Sequence, residues 1–119
     1  MPRRLTPLTP DALAAATRDN DTRALVKHYL ALLQECAPGN SVEVRVPPYA
    51  AVQVIAGVRH TRGTPPAVVE TDAQTWLALA RGEMAWGEAM DAVRVRASGE
   101  RTDLSAYLPL NDEGTRPAP

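Results

Sequence analysis

Residues 68–99 constrain the fold more than any other stretch, because strand, helix, glycine, helix and strand follow one another there in close succession. Val68, Val69 and Glu70 are brief and β-branched, which suits a buried strand. Thr71 or Asp72 then offers a side-chain oxygen to the orphan N–H groups of a first helical turn. Trp76, Leu77, Leu79 and Ala80 line one side of that helix, and Gly82 ends it, since glycine takes the left-handed conformation without a Cβ penalty. A second, shorter helix spans residues 83–91, with Trp86, Ala89 and Met90 on one side. Val93, Arg94, Val95, Arg96 and Ala97 alternate apolar and cationic, the pattern of a strand with one wet face, and Ser98 and Gly99 turn the chain.

The rest of the chain supplies what that unit packs on. Residues 22–36 are the strongest helix: Leu25, Val26, Tyr29, Leu32, Leu33 and Cys36 form one apolar stripe. Arg23, Lys27, His28, Gln34 and Glu35 fall on the wet side, any of Asp19, Asn20 and Asp21 can cap the helix, and Pro38 and Gly39 stop it. Ahead of it, Thr9, Pro10 and Asp11 start a short alanine-rich helix, and residues 1–8 are proline-punctuated and expected to be loosely held. Residues 41–46 read as a strand, Val42, Val44 and Val46 alternating with Glu43 and Arg45, that Pro47 and Pro48 end. Residues 49–58 read as a second strand, apolar on both faces (Val52, Val54, Ala56 and Val58 on one, Tyr49, Ala51, Gln53 and Ile55 on the other), and therefore central. Thr102 and Asp103 cap a last short helix through Tyr107, and the polar, proline-rich residues 111–119 are expected to be disordered. The order predicts an α+β domain over residues 19–110, after an N-terminal segment 1–18: one mixed or antiparallel sheet of about four to five strands with helices packed on one face.

A chain of 119 residues suffices for one domain with one core. Its formal charge of −1 gives no field for holding nucleic acid or an anionic membrane, and its few aromatics supply no stacking surface for bases. Cys36 is the single cysteine, so neither an intrachain disulfide nor a cysteine zinc site is expected, which suits a cytoplasmic setting. No run approaches the roughly 18 apolar residues of a membrane span.

The order of elements resembles the sterol-carrier-protein-2 (SCP2-like) superfamily. Leu79, Ala80 and Gly82 match its "LA.G" helix end, Ala89 its sheet-facing alanine, Val93 and Val95 its following strand, and Ser98 and Gly99 its "SG" turn. The motifs VPPYAAVQ, RHTRGTPP and YLPL look more specifically like the short, single-domain actinobacterial sterol-carrier orthologues. The resemblance implies an SCP2-like fold, an apolar or lipid ligand held between helices and sheet, no catalysis and no cofactor. Similar domains also sit at the C-terminal end of mycothiol-dependent maleylpyruvate isomerase-like enzymes. The metal histidines of those enzymes lie in a separate helical bundle that has no counterpart in this sequence.

Three readings of the side chains follow. Trp76, Leu79, Trp86 and Met90 from the helices, with Val52, Val54, Val93 and Val95 from the sheet, can line an apolar ligand site; the same residues can equally form a closed core. Tyr49, Ala51 and Ile55 can leave an uncovered apolar sheet face, which points to an accessory or protein-interaction module, a homodimer included. Arg59, His60 and Arg62, with Gly63 and nearby hydroxyls, are the weak candidate for an anion site, against a solvated turn. Neither a nucleophile with an oriented base nor a metal-ligand cluster is visible: His28 reads as solvated, and Cys36 sits at the helix end that disfavours a thiolate.

Overall fold

The computed structural model describes residues 4–57, 67–99 and 102–110. Four strands make one mixed sheet: β1 (Val42–Val46), β2 (Ala50–Val54), β3 (Ala67–Thr71) and β4 (Val95–Ser98), in spatial order β2-β1-β3-β4. β1 is antiparallel to β2 and parallel to β3, and β3 is antiparallel to β4. Period-two alternation then sorts the side chains by face. Val42 opposes Val54 and Ala67, Val44 opposes Val52 and Val69, and Thr71 opposes Val95, all of them buried. The other face carries Glu43, Arg45, Gln53, Glu70 and Arg96, and it is half-exposed or exposed.

The helical layer is built on α2 (Thr22–Cys36), which runs over β2 and carries α1 (Pro10–Arg18) and α3 (Ala73–Arg81) on its flanks; α4 (Trp86–Asp91) lies beside β4. Asp21 is the residue that caps α2, its Oδ1 accepting from the Ala24 N–H at 3.2 Å. Asp72, rather than Thr71, caps α3. One of its oxygens accepts from the Thr75 N–H at 3.1 Å and the other from the Thr75 hydroxyl at 2.6 Å. Thr71 is spent on the sheet, donating its hydroxyl to the Arg94 carbonyl at 2.8 Å. Gly82 ends α3 in the left-handed conformation, with φ 81°.

Five expectations are corrected. His28 is not solvated and Gln34 is not on a wet side: both are buried, because residues 5–8 lie along α2 and use them as acceptors. The Leu5 N–H donates to Gln34 Oε1 and the Leu8 N–H to His28 Nδ1, each at 3.0 Å, so this segment is tied down rather than loose. β2 is an edge of the sheet among the described residues, not its centre. It stops at Val54 because Ile55 turns out of the ladder with φ 70° and donates its N–H to the Ala37 carbonyl at 2.6 Å. The carbonyl of Ile55 in turn accepts from the N–H and hydroxyl of Ser41, at 3.1 and 2.7 Å, locking the end of β2 to the loop after α2. The last strand starts at Val95, not Val93, since Val93 sits in the left-handed region (φ 56°) and is 79% exposed. Finally, α4 begins at Trp86 rather than at residue 83, the intervening residues forming the turn after Gly82.

Gly39 is fixed by the lock at Ile55: a Cβ there would overlap the Ile55 carbonyl group and the Ala56 nitrogen, all of it backbone. Gly39→Ala is expected to cost about 2–4 kcal/mol in chemical denaturation, from the overlap and the lost hydrogen bonds. Gly87, helical and with open space around its Cβ position, is the control, and Gly87→Ala should stabilise by about 0.5 kcal/mol.

Asp72 generates a pH prediction. Its partial burial pushes the carboxyl up, but the Thr75 hydroxyl and N–H, with neighbouring backbone donors, outweigh that and hold it below the ordinary carboxylate value. A depressed value means that the cap stabilises fully above the unfolded carboxyl pKa, near pH 4, and loses its effect as pH falls through the folded value. Asp72→Ala should therefore cost about 1 kcal/mol at neutral pH, with the gap to wild type closing in urea melts below about pH 4.

Candidate functional site

The turn after α3 and the C-terminal segment together form a groove. Beyond Gly82 the chain folds back, with the N–H groups of Glu83 and Met84 both donating to the Ala78 carbonyl, at 2.8 and 3.3 Å. Residues 102–110 cross the same end of α3: Leu104 and Leu110 are buried anchors, and the Leu110 N–H donates to the Ala80 carbonyl at 2.8 Å. Between these segments lies a hollow of about 340 Å³ lined by Leu79, Gly82, Met84, Ala85, Trp86, Ser105, Leu108 and Pro109. Among the described residues no lining side chain is ionisable, and the polar side-chain groups are the Ser105 hydroxyl and the Trp86 indole N–H. Gly82 keeps the groove open at its waist, since a Cβ there would come within 3.2 Å of the Pro109 ring.

The eight residues named from the sequence separate into three environments. Trp86 lines this groove, and Leu79, itself a core residue 1% exposed, lies at its floor. Val52, Val54, Trp76 and Val95 are buried in the core. The Trp76 indole N–H is satisfied there by the Val26 carbonyl at 3.4 Å, which ties α3 to α2. Met90 and Val93 are exposed. Val93 borders a separate hollow of about 240 Å³, shared with Pro47, Glu70, Thr71, Asp72, Arg94 and Arg96. A third hollow, of about 410 Å³, runs over the Pro47–Pro48 turn, Tyr49, Ala50 and Ala51, with Arg45 and Glu70 beside them. Both of these carry charged side chains, which sets them apart from the uncharged groove.

Met84, Ser105, Leu108 and Pro109 are the lining residues that sequence reasoning missed. Their signal was present in the YLPL motif and in the residues after Gly82, but periodicity has nothing to register in a turn and a three-residue 3-10 segment (Ser105–Tyr107). The Arg59, His60 and Arg62 candidate lies outside the described residues, as do Val58 and residues 111–119. Of the second-face trio, Ala51 is exposed, Ile55 is buried, and the Arg23 guanidinium of α2 lies over the half-buried Tyr49 ring, 5.8 Å from its centroid. Arg94 and Arg96 do not share a strand face, since Arg94 precedes β4; Arg96 opposes Glu70, and Glu43 pairs with Arg45 at 2.9 Å. Among the described residues no three His, Cys, Asp or Glu side chains group as a metal site. Among them, too, no helix is long and apolar enough to cross a membrane.

This architecture, a mixed four-stranded sheet with a helical layer and YLPL folded over the end of α3, agrees with a sequence profile of bacterial SCP (sterol carrier protein) orthologs that matches residues 18–110. The chain belongs to that family. No curated protein matches it. Within this bacterial SCP ortholog the two tryptophans, equal as sequence signals, occupy different settings: Trp76 is 1% exposed, Trp86 half-buried in the groove. Trp76→Ala should accordingly cost about 3–5 kcal/mol in denaturant melts, as a large buried ring does. Trp86→Ala should cost about 1 kcal/mol and leave the circular dichroism of the fold unchanged.

Proposed function

We propose that this chain binds an apolar or amphipathic small molecule in the manner of a lipid carrier, without catalysis, and that the groove at the end of α3 takes the ligand's apolar part. The observation that supports this is the uncharged lining: Met84, Trp86 and Leu108 present apolar atoms in a concave surface over the buried Leu79, with one hydroxyl, Ser105. Such a surface gains by excluding water from both partners, and a thioether beside an indole adapts to ligands of irregular shape. A hollow of about 340 Å³ falls at the small end of ligand pockets, suited to an acyl segment or a compact ring system. Membership of the sterol carrier ortholog family points the same way.

The competing reading, an interaction module with a filled core, draws on the complete burial of Trp76, Val52 and Val54. Its second support, an apolar patch at Tyr49, Ala51 and Ile55, is reduced to the exposed Ala51 and the half-buried Tyr49, since Ile55 is buried.

The two tryptophans provide the test. Single-tryptophan proteins, Trp76→Phe and Trp86→Phe, are titrated with a brominated fatty alcohol, which quenches indole fluorescence on contact. Quenching is expected where Trp86 remains and none where only Trp76 remains. Quenching of Trp76 would place the ligand between helices and sheet instead. No quenching in either protein, together with no ligand retained in native mass spectrometry, would overturn the proposal.

A further inference from the structure

The groove is uncharged, but its mouth is not. Glu88 Oε1 accepts from the N–H of Ala85, a lining residue, at 3.4 Å. Asp103 Oδ1 accepts from the N–H of Ser105, another lining residue, at 2.9 Å. Glu83 stands between the lining residues Gly82 and Met84 and is exposed. The cation next in sequence, Arg81, is turned elsewhere, its guanidinium over the Tyr29 ring 5.8 Å from the centroid. The Ser105 hydroxyl and N–H hold the Asp103 carboxyl below its ordinary range, so it is ionised at neutral pH. Among the described residues the rim is therefore acidic while the bed is apolar.

Resting on the groove reading above, we propose that its preferred occupant is an amphiphile with an uncharged body and a cationic, amine-type head group. The body lies against Leu79, Met84 and Trp86, and the head stands at the rim beside Glu88 and Asp103. A carboxylate head in the same place meets like charge on both sides. Opposite charge at the rim lowers the free energy of the bound amine and raises that of a bound fatty acid, and the effect is screened by salt because the rim is wet. The half-exposed Trp86 adds a further preference for a cation, indole being the strongest aromatic partner for one.

Dodecylamine, dodecanol and dodecanoate share a chain and differ in head charge, so their affinities separate bed from rim. Each is titrated below its aggregation limit into Trp76→Phe protein at neutral pH and low salt, read by Trp86 fluorescence. The amine should bind more tightly than the alcohol, and the alcohol more tightly than the carboxylate, with about tenfold between the extremes for rim charges of ordinary strength. In the Glu88→Gln, Asp103→Asn double variant both hydrogen-bond acceptors remain and the charge goes. The gap should then shrink to about threefold or less, as it should in about 0.5 M salt. Equal binding of amine and carboxylate, or a gap that the double variant leaves intact, overturns the head-group proposal while the groove stands. Failure of all three to bind overturns the groove, and the head-group preference with it.

Discussion

Helix α2 has no free side from His28 to Gln34, and much of the architecture answers to that fact. Nine of its residues are buried, from Leu25 to Gln34, and they do not fall on one stripe. The sheet takes one face of the helix, α3 and α1 the flanks, and residues 5–8 the remainder. A helix covered all round normally carries apolar residues all round. Here two polar side chains, His28 and Gln34, lie in the covered region and are made tolerable by donating partners from an extended backbone. The N-terminal segment has no ladder of its own, so the same two bonds satisfy backbone N–H groups that would otherwise need water. One arrangement settles both demands.

That pairing also shows where sequence reasoning stops. The alternation of Val42, Val44 and Val46 gave β1 to within one residue at its start, and Asp72 with Gly82 bracketed α3 with only the choice of cap left open. Each of those signals is local: a face, a cap, a left-handed residue. The reading of His28 and Gln34 as solvent-facing failed because a polar side chain on an amphipathic wheel signals water unless a distant segment reaches it, and that segment lies 20 or more residues away. β2 misled for a related reason. Ile55 extends the apolar alternation, but its backbone is claimed by Ala37 and Ser41, so a pattern that looks two-sided ends as an edge. Val93 continued an alternation that the chain abandons for a left-handed turn, which puts a β-branched side chain in water.

The candidate site was half legible for the same cause. Leu79 and Trp86 belong to periodic elements and were visible; Met84, Ser105, Leu108 and Pro109 belong to connections, which are placed by the packing of Leu104 and Leu110 on α3. Grouping all eight apolar candidates into one cavity assumed that helices and sheet stand apart. Instead Trp76 hydrogen-bonds the backbone of α2 and is 1% exposed, so its ring serves the contact between helices.

On the proposed reading, a ligand need not open the core to bind. Separating α2 from α3 would leave the Trp76 N–H and the Val26 carbonyl without each other and expose a large ring, a cost of several kcal/mol before any ligand contact is made. The groove at the end of α3 demands much less. Its walls are a turn and a short segment that meets α3 through the Leu110 N–H and two buried leucines, and its lining already presents apolar atoms at the surface. A ligand there gains the water-excluded area without a matching loss of packing. The two tryptophans thus sit in different settings: Trp76 holds the two helices together, and Trp86, on the far side of Gly82, is left with room beside it.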